Sequence, residues 1–466
     1  MGLFSAMTTS VAGLNAQAFA LQNISGNIAN SQTTAYKGID TTFADIVTSV
    51  GAQVQDANAG SVRAISTPTN SNYGGVNSTG VSTNMAINGG GYFQVQMKTG
   101  STDGQETFSG TNVYTRAGDF TMDKQGYLVN SAGAALMAIP IDPATQNPIG
   151  DTAQLLQVSN GYLKANPTTS ISYQANLPAT PSSGNMSANT SSYPAANGSV
   201  INTSTTPNTL TSVSASDNTT FQSQSLAGSA VTAYTSNGTA VNVQMRWAKV
   251  GTDSSGNSTW NLFYQSNPSA AGTAAMWSNT GTQYVFNSNG NLTAPSGGVS
   301  TVNPMTITTS SGAVTLGTGQ GVSLNFGASG LTQYASSSSV VNVSTLSQNG
   351  YTSGSLSSVG LDSQGRVTAS YSNGVQVPIA QVPTYKFNGD SALTLQSGGI
   401  YVPNNDSGPA VKMSSTNISG GSLEASNTDI ATQFSKMIVT QQAYSANSKV
   451  ITTANSMMQD VMQILR

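Results

Sequence analysis

The sequence predicts a mainly β protein with α-helical termini. Three observations carry that expectation: seven-residue apolar periodicity occurs only at the two ends, short alternating segments fill the chain between them, and one Asx-x-x-Gly turn pattern recurs there. At the N-terminal end Phe4, Val11 and Ala18 form one series, and Met7, Leu14, Leu21 and Ile28 a second, together an a/d seam. The pattern stops at Asn30-Ser31-Gln32-Thr33-Thr34, a polar stretch of poor helix propensity. Segments such as Tyr92 to Gln96 and Val241 to Met245 then alternate as half-buried strands do. Asp123-x-x-Gly126, Asn287-x-x-Gly290 and Asp362-x-x-Gly365 each read as a hairpin turn, the Asx side chain bracing the bend and glycine supplying its left-handed residue.

At the far end Ile430, Met437, Tyr444, Ile451, Met458 and Leu465 again recur every seven residues, with Val461 beside them. Ser426 followed by Asp429 fits a capping box, which predicts a helix from about residue 427 almost to Arg466. Gln433, Thr440, Asn447 and Ser448 are expected on its outer, weakly charged face. The domain organisation expected is a terminal helical assembly domain from 1–30 and 427–466, and a linker segment over 31–70. A β-rich domain then draws on 71–149 and 346–426, and an outer β domain, 150–345, is inserted within it. The three tryptophans, Trp247, Trp260 and Trp277, are expected in the core of that insertion.

Composition excludes several function classes. Only 7% of residues are charged, the net charge is -3, and no basic block could neutralise a row of phosphates, so no nucleic-acid partner is expected. The chain has no Cys and no His, which removes the commonest general base, nucleophile and metal ligands. No catalytic residue, metal or cofactor is expected, and Gly89-Gly90-Gly91 lacks the spacing of a phosphate loop and reads as a tight turn. The start lacks the basic n-region of a cleavable leader, and no window is long and apolar enough for membrane insertion.

Three spaced motifs carry a resemblance. Gly13-Leu14-Asn15-Ala16, Asn23 to Asn30 and Thr34-Ala35-Tyr36-Lys37-Gly38 resemble the N-terminal signature of flagellar rod and hook axial proteins. Tyr114 to Phe120 resembles their second signature, and Gly420 to Asn427 with Gln441-Gln442-Ala443-Tyr444 resembles their C-terminal motif. Asn176-Leu177-Pro178, Gly330 to Ala335 and Gly350 to Leu356 are similar to hook subunits in particular, whereas Thr235-Ser236-Asn237-Gly238 stands where those carry an Asp-Ser-Leu-Gly turn. The resemblance implies a structural subunit, not an enzyme: a helical homopolymer of the bacterial flagellar hook, with an inner coiled-coil layer of terminal helices and β-rich outer domains. It further implies export through the flagellar type III apparatus without a cleavable signal peptide, and contacts with the distal rod, hook cap and hook-filament junction. The hook would lie outside the cell, attached to the basal body. The alternative is a distal rod or hook-associated protein. Within the motifs Asn27, Asn30, Tyr36, Lys37 and Arg116 are the residues expected to make tethering contacts, and the two heptad seams those expected to drive assembly.

Overall fold

The computed structural model describes residues 3–46, 61–143, 145–181, 211–317, 319–336, 340–414 and 417–464. The chain divides into two compact units, Met1–Asn160 with Leu356–Arg466, and Gly161–Ser355. The expected boundaries were 150 and 345.

The first unit is closed by both ends of the chain. Helix α1 (Leu3–Ala29) stops where Asn30 turns its side-chain amide back onto the Gly26 carbonyl (2.9 Å). A C-terminal helix (Ile430–Ile464) runs antiparallel to it. Asp429, not Ser426, caps that helix: its carboxylate accepts the Thr432 N–H at 2.7 Å, and this bond holds the carboxyl below the usual aspartate range. Ser426 instead bonds Thr428, so the capping box expected from the sequence is replaced by a turn followed by a single-residue cap.

Strands Ile39–Ile46 and Ser61–Pro68 pair antiparallel within the segment expected to be a linker. Asn23 of α1 donates to Thr41 (2.9 Å) and Ser66 (3.2 Å), which fixes this hairpin on the helix.

A larger sheet follows, in the order Leu356–Leu361, Arg366–Tyr371, Gln376–Gln381, Ala134–Pro140, Tyr92–Thr102, Gln105–Thr115, Ile400–Val402 and Thr394–Gln396. Both halves of the chain supply its strands, and Phe93, Val95, Phe120, Leu136, Val367 and Val382 fill its core. Two short ladders close the seam between the halves, Met85–Ile87 with Ile418–Gly420 and Val76–Ser78 with Ser422–Glu424.

All three anticipated turns form. Asp123 Oδ1 accepts the N–H groups of Gln125 and Tyr127, Asn287 Oδ1 those of Asn289 and Asn291, and Asp362 Oδ1 those of Gln364 and Arg366. Gly126, Gly290 and Gly365 are left-handed, at φ 90°, 79° and 74°. Thr235-Ser236-Asn237-Gly238 closes in the same way, Gly238 at φ 83°.

The second unit contains a sheet ordered Ser212–Ser214, Ala275–Phe286, Ser258–Gln265, Ala240–Thr252 and Leu226–Tyr234. A mixed sheet runs Val299–Val302, Val322–Asn325, Ser170–Asn176 and Leu331–Thr332, with Asn342–Gln348 also pairing Ser170–Asn176. Trp247, Trp260, Tyr173, Tyr284 and Phe326 share one core. There the Trp247 indole donates to the Tyr173 hydroxyl (3.0 Å), which donates to the Gly228 carbonyl (2.8 Å). Helix α2 (Asn218–Ser223) lays Phe221 on Phe263 and Trp277 in a smaller cluster.

Because every tryptophan of the chain lies in this unit, indole fluorescence reports its unfolding alone. Tyr173→Phe strands a buried indole N–H and a carbonyl, a cost of about 1 to 3 kcal/mol. The expected outcome is a lower denaturation midpoint by tryptophan fluorescence and an unchanged far-ultraviolet signal from the terminal helices. An unshifted fluorescence midpoint would contradict the assignment.

Candidate functional site: a buried ionic junction at the helix roots

The chain leaves α1 through a tight loop. Ala35 adopts φ 54°, a left-handed conformation uncommon for a residue with a Cβ, and its N–H bonds the Glu424 carbonyl at 2.8 Å. That strained turn aims Lys37 inward. Its ammonium meets Glu424 Oε1 at 2.5 Å and the Asn72 carbonyl at 2.8 Å. Arg116, from the strand end after Thr115, binds the other carboxylate oxygen through Nε at 2.7 Å. Nη1 donates to the carbonyls of Gly89 (2.8 Å) and Gly91 (2.7 Å), and Nη2 to that of Ile87 (3.3 Å). All three ionic side chains are 1% exposed. The Tyr73 ring covers them, 4.9 Å from the guanidinium carbon and 5.6 Å from the ammonium.

One carboxylate thus serves two cations, and the Gly74 N–H also donates to Oε1 at 2.9 Å. Glycine is required at 74, because a Cβ there would lie 1.9 Å from the Ala425 carbonyl oxygen. Burial pushes the Lys37 ammonium below the usual lysine range, the Glu424 hydrogen bond and charge draw it back up, and the Arg116 charge lowers it again.

A second layer of amides surrounds the ions. Asn27 pairs with the Ile39 backbone through both ends of its amide (2.9 Å each), accepts the Tyr36 hydroxyl (3.2 Å) and reaches Gln433 of the C-terminal helix (3.4 Å). Asn427 accepts the Gly38 N–H (2.8 Å) and donates to Thr69 Oγ1 (2.9 Å) and the Asn72 carbonyl (3.1 Å). The roots of both helices, the 69–74 loop and the β sheet therefore meet at one place.

Of the tethering residues expected from sequence, Asn27, Tyr36, Lys37 and Arg116 converge here. Asn30 does not: its side chain completes the end of α1 and accepts Thr33. Glu424 and Asn427 lie within the C-terminal motif Gly420 to Asn427 but are not among the tethering residues expected from the sequence, and Tyr73 lies in none of the motifs. The available signal for Glu424 was its charge, since an acidic residue within an uncharged motif is conspicuous in a chain only 7% charged.

The two seams are distributed differently from a simple two-helix core. Phe4, Val11, Ala18, Ile430, Tyr444 and Val461 are exposed, Phe4 by 71% and Val461 by 54%. Met7, Leu14, Leu21, Ile28, Met437, Ile451 and Met458 are half-buried, and Leu465 lies outside the described residues. The inward face of α1 is Ser10, Gly13, Ala16, Ala20, Ile24 and Asn27. Gln433 and Thr440, expected to face outward, are buried on the inner face of the C-terminal helix with Ala454, and Asn447 approaches Gly13. The reason is steric: small side chains let the two backbones come close, and the large ones are left on the outside.

Comparison with known proteins bears on what this architecture belongs to. Residues 86–165 match the family model described as flagellar hook protein FlgE/F/G D1 domain, and 200–351 that of the flagellar basal body protein FlaE D2 domain. Residues 419–464 match the flagellar basal body rod FlgEFG protein C-terminal model. The flagellar hook protein FlgE of Brucella suis biovar 1 is 29% identical over 478 residues, covering 100% of both chains. Over its entire length the chain is similar to flagellar hook proteins. Other hook-family relatives include FlgE of Treponema pallidum, 27% identical with 100% of both chains covered. FlgE of Caulobacter vibrioides is 39% identical over 31% of this chain and 25% of its own length. In hook-family terms Arg116 lies in the stretch matched as D1 and Glu424 in the stretch matched as the C-terminal region, so the ion pair joins two separately recognised parts.

Glu424→Gln leaves two buried cations without a counter-charge, and breaking such a pair costs about 3 to 5 kcal/mol. The first unit is expected to melt earlier by circular dichroism while the tryptophan transition of residues 161–355 stays in place. Equal melting of variant and parent would show that the junction carries no stability.

Proposed function

We propose that the chain is a structural subunit of the bacterial flagellar hook, polymerising into a curved, flexible tube that acts as a universal joint and transmits torque from rod to filament. The carrying observation is the match to hook proteins over the entire length of both chains, including the stretch between the axial motifs. That middle stretch favours hook over the distal rod alternative.

The helical ends supply the chemistry of assembly. Phe434, Ile438, Val439, Val450, Met457 and Met462 are all exposed on the C-terminal helix, whose described length carries only Lys436, Lys449 and Asp460 as charges, so most of its outer face is apolar or uncharged. Such a face is soluble only when covered, and copies of the same chain cover it in a tube. The inner face buries mostly small side chains, so the isolated pair gains little from hydrophobic burial. Neighbouring copies then supply the rest, and the helices form an inner coiled-coil layer that becomes fully ordered on polymerisation. Among the described residues no helix is long and apolar enough to cross a membrane. Export by the type III route, and contacts with the rod, the cap and the hook-filament junction, follow from the family and complete the reading.

Electron microscopy of the polymerised chain tests it: curved tubes are expected, and straight short segments would favour the rod. Phe434→Asp and Val461→Asp each place a charge among the exposed apolar side chains of this helix. Each is expected to raise the critical concentration for polymerisation by at least about tenfold, or about 1.4 kcal/mol, with the monomer's circular dichroism unchanged. Polymerisation at the parent concentration would remove this face from the interface.

A further inference from the structure

The helical pair is tied at its root, inside the junction, and comes into close contact again at a point well outside it. At the root Asn27 meets Gln433. Fourteen residues farther along each helix, Asn447 reaches toward α1 at Gly13, its Nδ2 2.8 Å from the point a Cβ on Gly13 would occupy. No other described glycine of α1 is so confined, since Gly26 has nothing within 4 Å of that point. The same antiparallel offset sets Ala20 opposite Thr440 and Ala6 opposite Ala454. The four layers 27/433, 20/440, 13/447 and 6/454 are therefore small or polar, and among them only the Gly13 layer fits a branched polar side chain into a notch.

We infer that Gly13 and Asn447 form a distal latch that holds the helical pair closed and sets its separation. The ionic junction and the Asn27 amide fix where the two helices begin. They do not constrain the helices some 20 Å away at 1.5 Å per residue. Hydrophobic burial along the inner face is slight, so the pair needs a second fixed point to behave as one body. A polar side chain seated in a unique notch is a device that fixes alignment in helical pairs at small cost in stability. For the assembly consequence the inference rests on the hook reading: the latch sets the spacing of the outward apolar rows that neighbouring copies meet.

The chain has no cysteine, so introduced pairs report helix separation by disulfide formation without background. In the full-length protein, Ala20→Cys with Thr440→Cys reports the segment nearer the root, and Ala6→Cys with Ala454→Cys the segment beyond the notch. Gly13→Val fills the notch. It is expected to lower the rate of disulfide formation at the 6/454 pair by about tenfold, as overpacking does, and to leave the 20/440 pair within about twofold. Adding Asn447→Gly, which empties the space again, is expected to restore the 6/454 pair, an outcome that a change in helix propensity alone does not produce. An unchanged 6/454 rate in Gly13→Val, or no recovery in the double variant, would overturn the latch. Cross-linking reads the latch whether or not tubes form, whereas failure of the parent chain to form tubes counts against the hook reading alone.

Discussion

A single buried carboxylate organises the first unit. Glu424 is bound by an ammonium from the N-terminal loop and a guanidinium from the strand end at 116, partners 387 and 308 residues away in sequence. Buried charge is costly unless every charged atom is satisfied. Here the requirement is met by distributing the partners over three chain segments, so the cost of an incomplete set falls on any conformation in which one segment is missing. The carbonyls of Gly89 and Gly91 extend the same logic, because the glycine turn before the strand at Tyr92 exists to point its carbonyls at Arg116. Lys37 and Glu424 flank the helical ends, so these bonds tie the helix roots directly to the sheet.

The rest of the chain avoids charge. With so few ionic groups, the surface is built from Ser, Thr, Asn, Gln and Gly, and the turns from Asx side chains that bond their own backbone. Such a surface tolerates close neighbours without strong salt dependence, and it leaves binding to shape and to the apolar helix faces. The helical pair is inverted relative to an ordinary two-helix core: small residues inside, large ones outside. An inverted pair is a poor monomer element and a good polymer element, which links the packing directly to the proposed role.

Much of this was legible in the sequence, for identifiable reasons. Both helices, the three Asx-x-x-Gly turns and the buried tryptophans follow from local rules that need no tertiary information. Two more turns of the same kind, Asn130 to Gly133 and Asp253 to Gly256, were equally legible and went unread. The orientation of the helices was not legible. Heptad reasoning sends the large residues inward, and Gln433 and Thr440 outward, because it assumes one partner helix. When the partner offers Gly13, Ala16 and Ala20, close backbone approach wins. The ionic junction was half legible: charged Lys37 and Arg116 stood out within their motifs, but Glu424 became identifiable only when the fold brought three distant segments to one point. The cap at Asp429 was misplaced by three residues because Ser426 offered the same local pattern.

The central claim is that Glu424 couples the helix root to the sheet as one energetic unit. A double-mutant cycle on Lys37→Met and Glu424→Met, read as unfolding free energy of the first unit by circular dichroism, tests it most directly. The account predicts a coupling energy near the upper end of the range for contacting residues, about 2 to 3 kcal/mol, with the double variant less destabilised than the sum of the singles. A coupling below about 0.5 kcal/mol, the additivity expected of distant sites, would contradict it.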